Sequence, residues 1–90
     1  MGVVVYDSAL KHGLSAEDIE RAWNTVAQEN IVRVRHEKHP PHYMGIGFLP
    51  NGKAIELIAF SDGIDWHVFH ACSPLTARFK IEYRDNGGVI

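Results

Sequence analysis

At 90 residues the chain has room for one small domain, and 46% hydrophobic and 22% charged residues make an ordinary globular composition. A net charge of −2 with histidines neutral speaks against strong nonspecific nucleic-acid binding, although the six histidines add positive charge toward about pH 6.5. No apolar run reaches the roughly 20 residues that span a bilayer, and the lone Cys72 excludes an internal disulfide framework.

Met1-Gly2-Val3-Val4-Val5 lacks the basic start and long apolar segment of a signal peptide, so a cytoplasmic chain with no membrane attachment is expected. Val3 to Val5 reads as a short strand, followed by a turn at His12-Gly13. Ser15 is suited to cap a helix, with Asp18 three residues on and Leu14 placed to pack on Ile19. Ile19, Ala22, Trp23, Val26 and Ala27 recur at helical spacing, which predicts a helix from about Ser15 to Gln28.

Strands follow. In Ile31–His36, Val32 and Val34 alternate with Arg33 and Arg35, predicting a half-buried strand with the arginines side by side outside. His39-Pro40-Pro41-His42 interrupts it, since proline removes ladder donors. Met44, Ile46 and Phe48 alternate with glycines, and Asn51-Gly52 favours a hairpin turn. Ala54 to Phe60 is apolar enough for a central strand. Asp62-Gly63 turns again, and Trp66 to Ala71 is the next strand, with Trp66, Val68 and His70 on one side and His67 and Phe69 on the other. Ser73-Pro74 predicts a helix start with Pro74 at the first helical position, and Leu75, Phe79 and Tyr83 stack along it. The expected fold is a single α+β domain over 1–90: an antiparallel meander of about four strands with an N-terminal and a C-terminal helix on one face.

Short motifs in order carry a resemblance. Ala9-Leu10-Lys11-His12-Gly13-Leu14-Ser15-Ala16-Glu17-Asp18-Ile19, then Ile46-Gly47, Asn51-Gly52 and Ile55-Glu56-Leu57, then Val68-Phe69-His70-Ala71 and Arg78-Phe79-Lys80 are similar to successive parts of the BrnT-type bacterial toxins and related short actinobacterial toxins. The likeness runs over roughly residues 6 to 84. It implies a RelE-like fold and the toxin role of a type II toxin–antitoxin system: a growth-inhibiting endoribonuclease neutralised by a cognate antitoxin. The BrnT pattern closes its last strand on Ser-Ala-Arg, where this chain has His70-Ala71-Cys72; the arginine is absent at that position, and the next helix supplies Arg78 and Arg84.

RNA cleavage without a metal or other cofactor needs a base for the 2′-hydroxyl, a cation for the phosphorane and an acid for the leaving oxygen. The closing strand and helix offer His67 or His70, with Arg78, Lys80, Glu82 and Tyr83. His70 is favoured because it ends its strand near the helix start. Arg78 and Glu82 share one helix face at i, i+4, as do Lys80 and Arg84; the simpler reading is a solvated face with an ion pair. Arg33, Arg35 and Arg84 are candidate RNA contacts. His36, His39 and His42 raise a metal question, answered more simply by an exposed loop that contacts RNA or antitoxin, and more simply still by an ordinary exposed loop. Cys72 is a weaker candidate nucleophile, two residues from His70. The rival expectation is a non-catalytic interaction module of the same fold, and open sheet edges allow a homodimer.

Overall fold

The computed structural model describes residues 2–90. Strands β1 (Val3–Val5), β2 (Val32–Val34), β3 (His42–Phe48), β4 (Ala54–Ser61) and β5 (Trp66–Cys72) form one sheet in the order β1-β5-β4-β3-β2. Helices α1 (Ala16–Asn24) and α2 (Ala77–Asp85) complete an α+β domain. The expected meander is β2 to β5, each strand antiparallel to the next. The sheet as a whole is not an antiparallel four-strand meander. Val3–Val5 adds a fifth strand, parallel to β5 in the register Val3↔Trp66, Val4↔His67, Val5↔Val68, so the sheet is mixed. A parallel partner needs a long connection, here everything between the two strands, and local hairpin signals cannot reveal it.

The helices lie on opposite faces rather than one. Strand β4 is apolar on both sides, so both must be covered. Ile55, Leu57 and Ala59 face α1, in a core with Ile19, Ala22, Trp23, Val68 and Ala71. Ile58 faces the other way, in a second core with Val32, Val34, Met44, Phe79 and Tyr83 beneath α2.

Helix α1 starts at the expected cap: the Ser15 hydroxyl accepts from the Asp18 N–H at 3.1 Å. It ends at Asn24, earlier than its apolar spacing implied. The Thr25 hydroxyl donates to the Ala22 carbonyl at 2.6 Å and accepts from the Phe48 N–H at 2.9 Å, which diverts the helix end to β3. The glycines of β3 face α1 and permit close approach: a Cβ at Gly47 would run into the Ala22 carbonyl. Helix α2 starts at Ala77, capped by Thr76, whose hydroxyl accepts from the Phe79 N–H at 3.2 Å. Pro74 therefore precedes the helix instead of opening it.

Two irregularities shape the α2 face of the sheet. Across β4 and β5 the register slips by one residue, Ile58 pairing with His70 and Ala59 with Val68. Phe69 is the extra residue, so His70 moves to the side of His67 and Phe69, opposite Trp66 and Val68. Beyond β1, a short 3-10 helix, Asp7–Leu10, lies along the part of β5 that β1 leaves unpaired. There the Ser8 hydroxyl donates to the Phe69 carbonyl at 2.6 Å.

The β4–β5 turn is fastened by Asp62. Its Oδ1 accepts from the Ile64 and Asp65 N–H groups at 2.8 and 2.7 Å, and its Oδ2 accepts from His67 Nε2 at 2.7 Å. The Asp65 N–H first, then the His67 ring and the Ile64 N–H, hold this carboxyl down at about 2, against an ordinary 3.8. A folded value below the unfolded one means the turn stabilises the fold above about pH 4 and loses that contribution as the pH falls through about 2. The carboxyl carbon of Asp62, followed by NMR, should titrate near 2, and Asp62→Asn should flatten the fall in stability across that window; a midpoint near 3.8 would contradict the fastening. Gly47→Ala should cost about 3 kcal/mol in urea denaturation, the upper end for overpacking, because α1 must move away.

Candidate active site

Charge in the middle of an apolar strand needs partners. Glu56, on central strand β4 and only 2% exposed, is the one buried charged residue among the described residues. Its Oε1 accepts from the Thr76 N–H at 2.6 Å and the Thr76 hydroxyl at 2.9 Å. The residue that caps α2 thus also turns the N-terminal end of that helix toward the carboxylate, where the helix dipole favours negative charge. Glu56 Oε2 accepts from His70 Nε2 at 2.7 Å. With the Nε2 proton committed to Glu56, the lone pair of His70 lies on Nδ1, which has no hydrogen-bond partner among the described residues. The His70 side chain is 31% exposed, so the pair has a buried carboxylate end and a wet imidazole end.

His67 is placed differently. Its Nε2 donates to Asp62, its Nδ1 accepts from the Tyr6 hydroxyl at 3.2 Å, and its ring stacks on Phe60 with centroids 4.6 Å apart. Both nitrogens are occupied, which makes it part of the turn; of the two β5 histidines, His70 is the one with a ring nitrogen that bonds no described residue.

His70 opens into a groove of about 590 Å³ between β5, α2 and the segment after the 3-10 helix. Lys11 and His12 line it from the segment after the 3-10 helix, Arg78 and Glu82 from α2, and Arg35 from just beyond β2. The His12 ring stands edge-on to the His70 ring, with centroids 5.8 Å apart and planes at 71°. Lys11 and Arg78 have no carboxylate within ion-pair distance among the described residues. Arg35 does: its Nε and Nη2 donate to the two Glu82 oxygens at 3.1 and 3.2 Å. That pair is about one-third exposed, so its net contribution is about 1 kcal/mol at most.

Of the residues expected to act together, the fold brings His70, Arg78, Glu82 and Arg35 to this groove. Lys80 lies outside it, beside Lys53, Ser73 and Pro74. Tyr83 is in the core, its hydroxyl donating to the Asn30 carbonyl at 2.7 Å, and burial pushes its phenol up. Arg84 is exposed near the end of α2. Arg33 and Arg35 are not side by side: Arg33 is exposed on the α1 face, whereas Arg35, with a φ of +50°, leaves the strand and turns to Glu82. Glu82 therefore pairs across to β2's end, not with Arg78 on its own helix. Cys72 borders the groove, but burial and then the Glu56 carboxylate push its thiol up, which makes it a poor nucleophile near neutral pH.

His36 and His39 are exposed, while His42 is on β3, its Nδ1 bonded to the Pro40 carbonyl at 2.9 Å and its ring against Phe69. No group of three or more His, Cys, Asp or Glu side chains among the described residues is placed to share a metal ion.

Glu56, Thr76, Lys11 and His12 were not among the expected site residues. One signal pointed to Glu56: it is the lone charge in the apolar run Ala54–Phe60. No family model, curated protein or solved structure matches this chain.

Removing the carboxylate should leave the Thr76 N–H and the His70 ring without their acceptor. Glu56→Ala is expected to lower unfolding free energy by about 2–3 kcal/mol in urea, and Glu56→Gln, which keeps an acceptor for Thr76, by about 1 kcal/mol. Equal effects would mean that filling space, not accepting hydrogen bonds, is what Glu56 does.

Proposed function

We propose that the chain is a metal-independent endoribonuclease, the toxin of a type II toxin–antitoxin pair, acting in the cytoplasm and neutralised by a cognate antitoxin protein. The observation that carries this reading is the Glu56–His70 pair at the floor of a groove whose free cations are Lys11 and Arg78. A buried carboxylate fixes the imidazole in one tautomer and orientation, and His70 Nδ1 is then directed at a 2′-hydroxyl proton. Arg78 and Lys11 face the same space, where a phosphodiester and the extra negative charge of its transition state would lie. The ordered motifs that resemble BrnT-type toxins agree with this chemistry, with Arg78 from α2 in place of the arginine that ends the family's last strand.

The net charge of −2 favours a second reading, a binding module of the same fold that no longer cuts RNA.

Induced expression separates the two. The ribonuclease reading expects growth arrest with loss of cellular RNA, relieved by His70→Ala or Arg78→Ala at unchanged protein level. With purified protein, His70→Ala should slow RNA cleavage by about 10²–10⁴-fold, the usual worth of one acid–base group. Healthy growth with soluble protein and intact RNA would contradict it and leave the binding module.

A further inference from the structure

Resting on the ribonuclease reading, one role is still unfilled: a proton donor for the leaving oxygen. Glu56 is committed to His70 and Thr76, and the Thr76 hydroxyl donates to Glu56 while accepting from Phe79. Glu82 is held by Arg35 on both oxygens. The Cys72 thiol is a weak donor. Arg78 and Arg35 keep their protons, and the Ser8 hydroxyl donates to the Phe69 carbonyl. Lys11 and His12 remain, and of these only an imidazole gives up and regains a proton readily near neutral pH. His12 is exposed, forms no hydrogen bond with a described residue, and lies edge-on to His70 across the same groove.

We infer that His12 is a second catalytic residue, protonating the leaving 5′-oxygen as His70 Nδ1 removes the 2′-hydroxyl proton, on single-stranded RNA. As the P–O2′ bond forms, the P–O5′ bond breaks; one proton passes from the 2′-hydroxyl to His70 and another from His12 to O5′. The products are a 2′,3′-cyclic phosphate and a 5′-hydroxyl end, and exchange with water restores both rings. Two imidazoles with centroids 5.8 Å apart can each reach one of the oxygens flanking a single phosphorus. Attack in line with the leaving oxygen requires a nucleotide step splayed from the A-form helix, which restricts the substrate to single strands. Lys11, next to His12, supplies charge to the phosphate between them.

The test uses the full chain and one RNA oligonucleotide in two forms, with a natural linkage or with the bridging 5′-oxygen replaced by sulfur, which leaves without a proton. His12→Ala is expected to slow cleavage of the natural linkage by about 100-fold or more and to leave cleavage of the thio linkage essentially unchanged. His70→Ala should slow both, and unchanged amide spectra would show that neither variant has lost the fold. Equal slowing of both linkages by His12→Ala would make His12 a phosphate-holding residue and overturn the inference, as would no slowing of either or products without cyclic phosphate. If the natural chain cuts neither RNA, the ribonuclease reading fails and the inference with it.

Discussion

A carboxylate buried in the central strand is the constraint on which the α2 side of the molecule depends. Glu56 is one of the largest fully buried side chains, in a strand that is otherwise apolar. An ionised group there is tolerated only with several donors around it, and loss of any one costs more than the bond itself returns. The chain meets that need with Thr76 and His70. Thr76 serves two ends at once: it starts α2 and its backbone and hydroxyl fix one carboxylate oxygen. The position of α2 over β2 to β4 and the orientation of the His70 ring are consequences of satisfying one side chain.

The bulge at Phe69 decides which face receives His70. In a regular strand His70 would share the side of Trp66 and Val68 and sit beneath α1, in a dry core. With one extra residue, His70 joins His67 and Phe69 on the α2 face, diagonally across from Glu56. The same irregularity leaves the Phe69 carbonyl for Ser8, which fastens the 3-10 helix and brings Lys11 and His12 to the groove wall. Residues nearly sixty positions apart in the sequence thus meet because one strand carries one residue too many.

Much of this was legible in the residues. Ser15 as cap, Ile19, Ala22 and Trp23 as the buried stripe of α1, and Val32 and Val34 as inward residues all follow from local periodicity. What was not legible is non-local. The pairing of Val3–Val5 with Trp66–Val68 spans most of the chain, and nothing near either strand announces it. The face of His70 depends on a bulge with no sequence mark such as glycine. Alternation points Arg35 outward, but its backbone leaves the strand and the guanidinium turns to Glu82. Tyr83 lies among the charges of α2 in the sequence, but its i, i+4 relation to Phe79 marks it as core. The lone Glu in Ala54–Phe60 was visible from the start. A charge inside a strand apolar enough to be central needs a partner, and here His70 and Thr76 supply it.

The proposed function places single-stranded RNA in the groove above Glu56 and His70. It is tested most directly by NMR titration of the chain with a 2′-O-methyl oligoribonucleotide, which lacks the attacking hydroxyl and is not cut. The ring signals of His12 and His70 and the amides around Lys11 and Arg78 should shift together and saturate, while His67, Lys80 and Tyr83 stay unmoved. Shifts confined to another surface, or none at all at millimolar oligonucleotide, would contradict it.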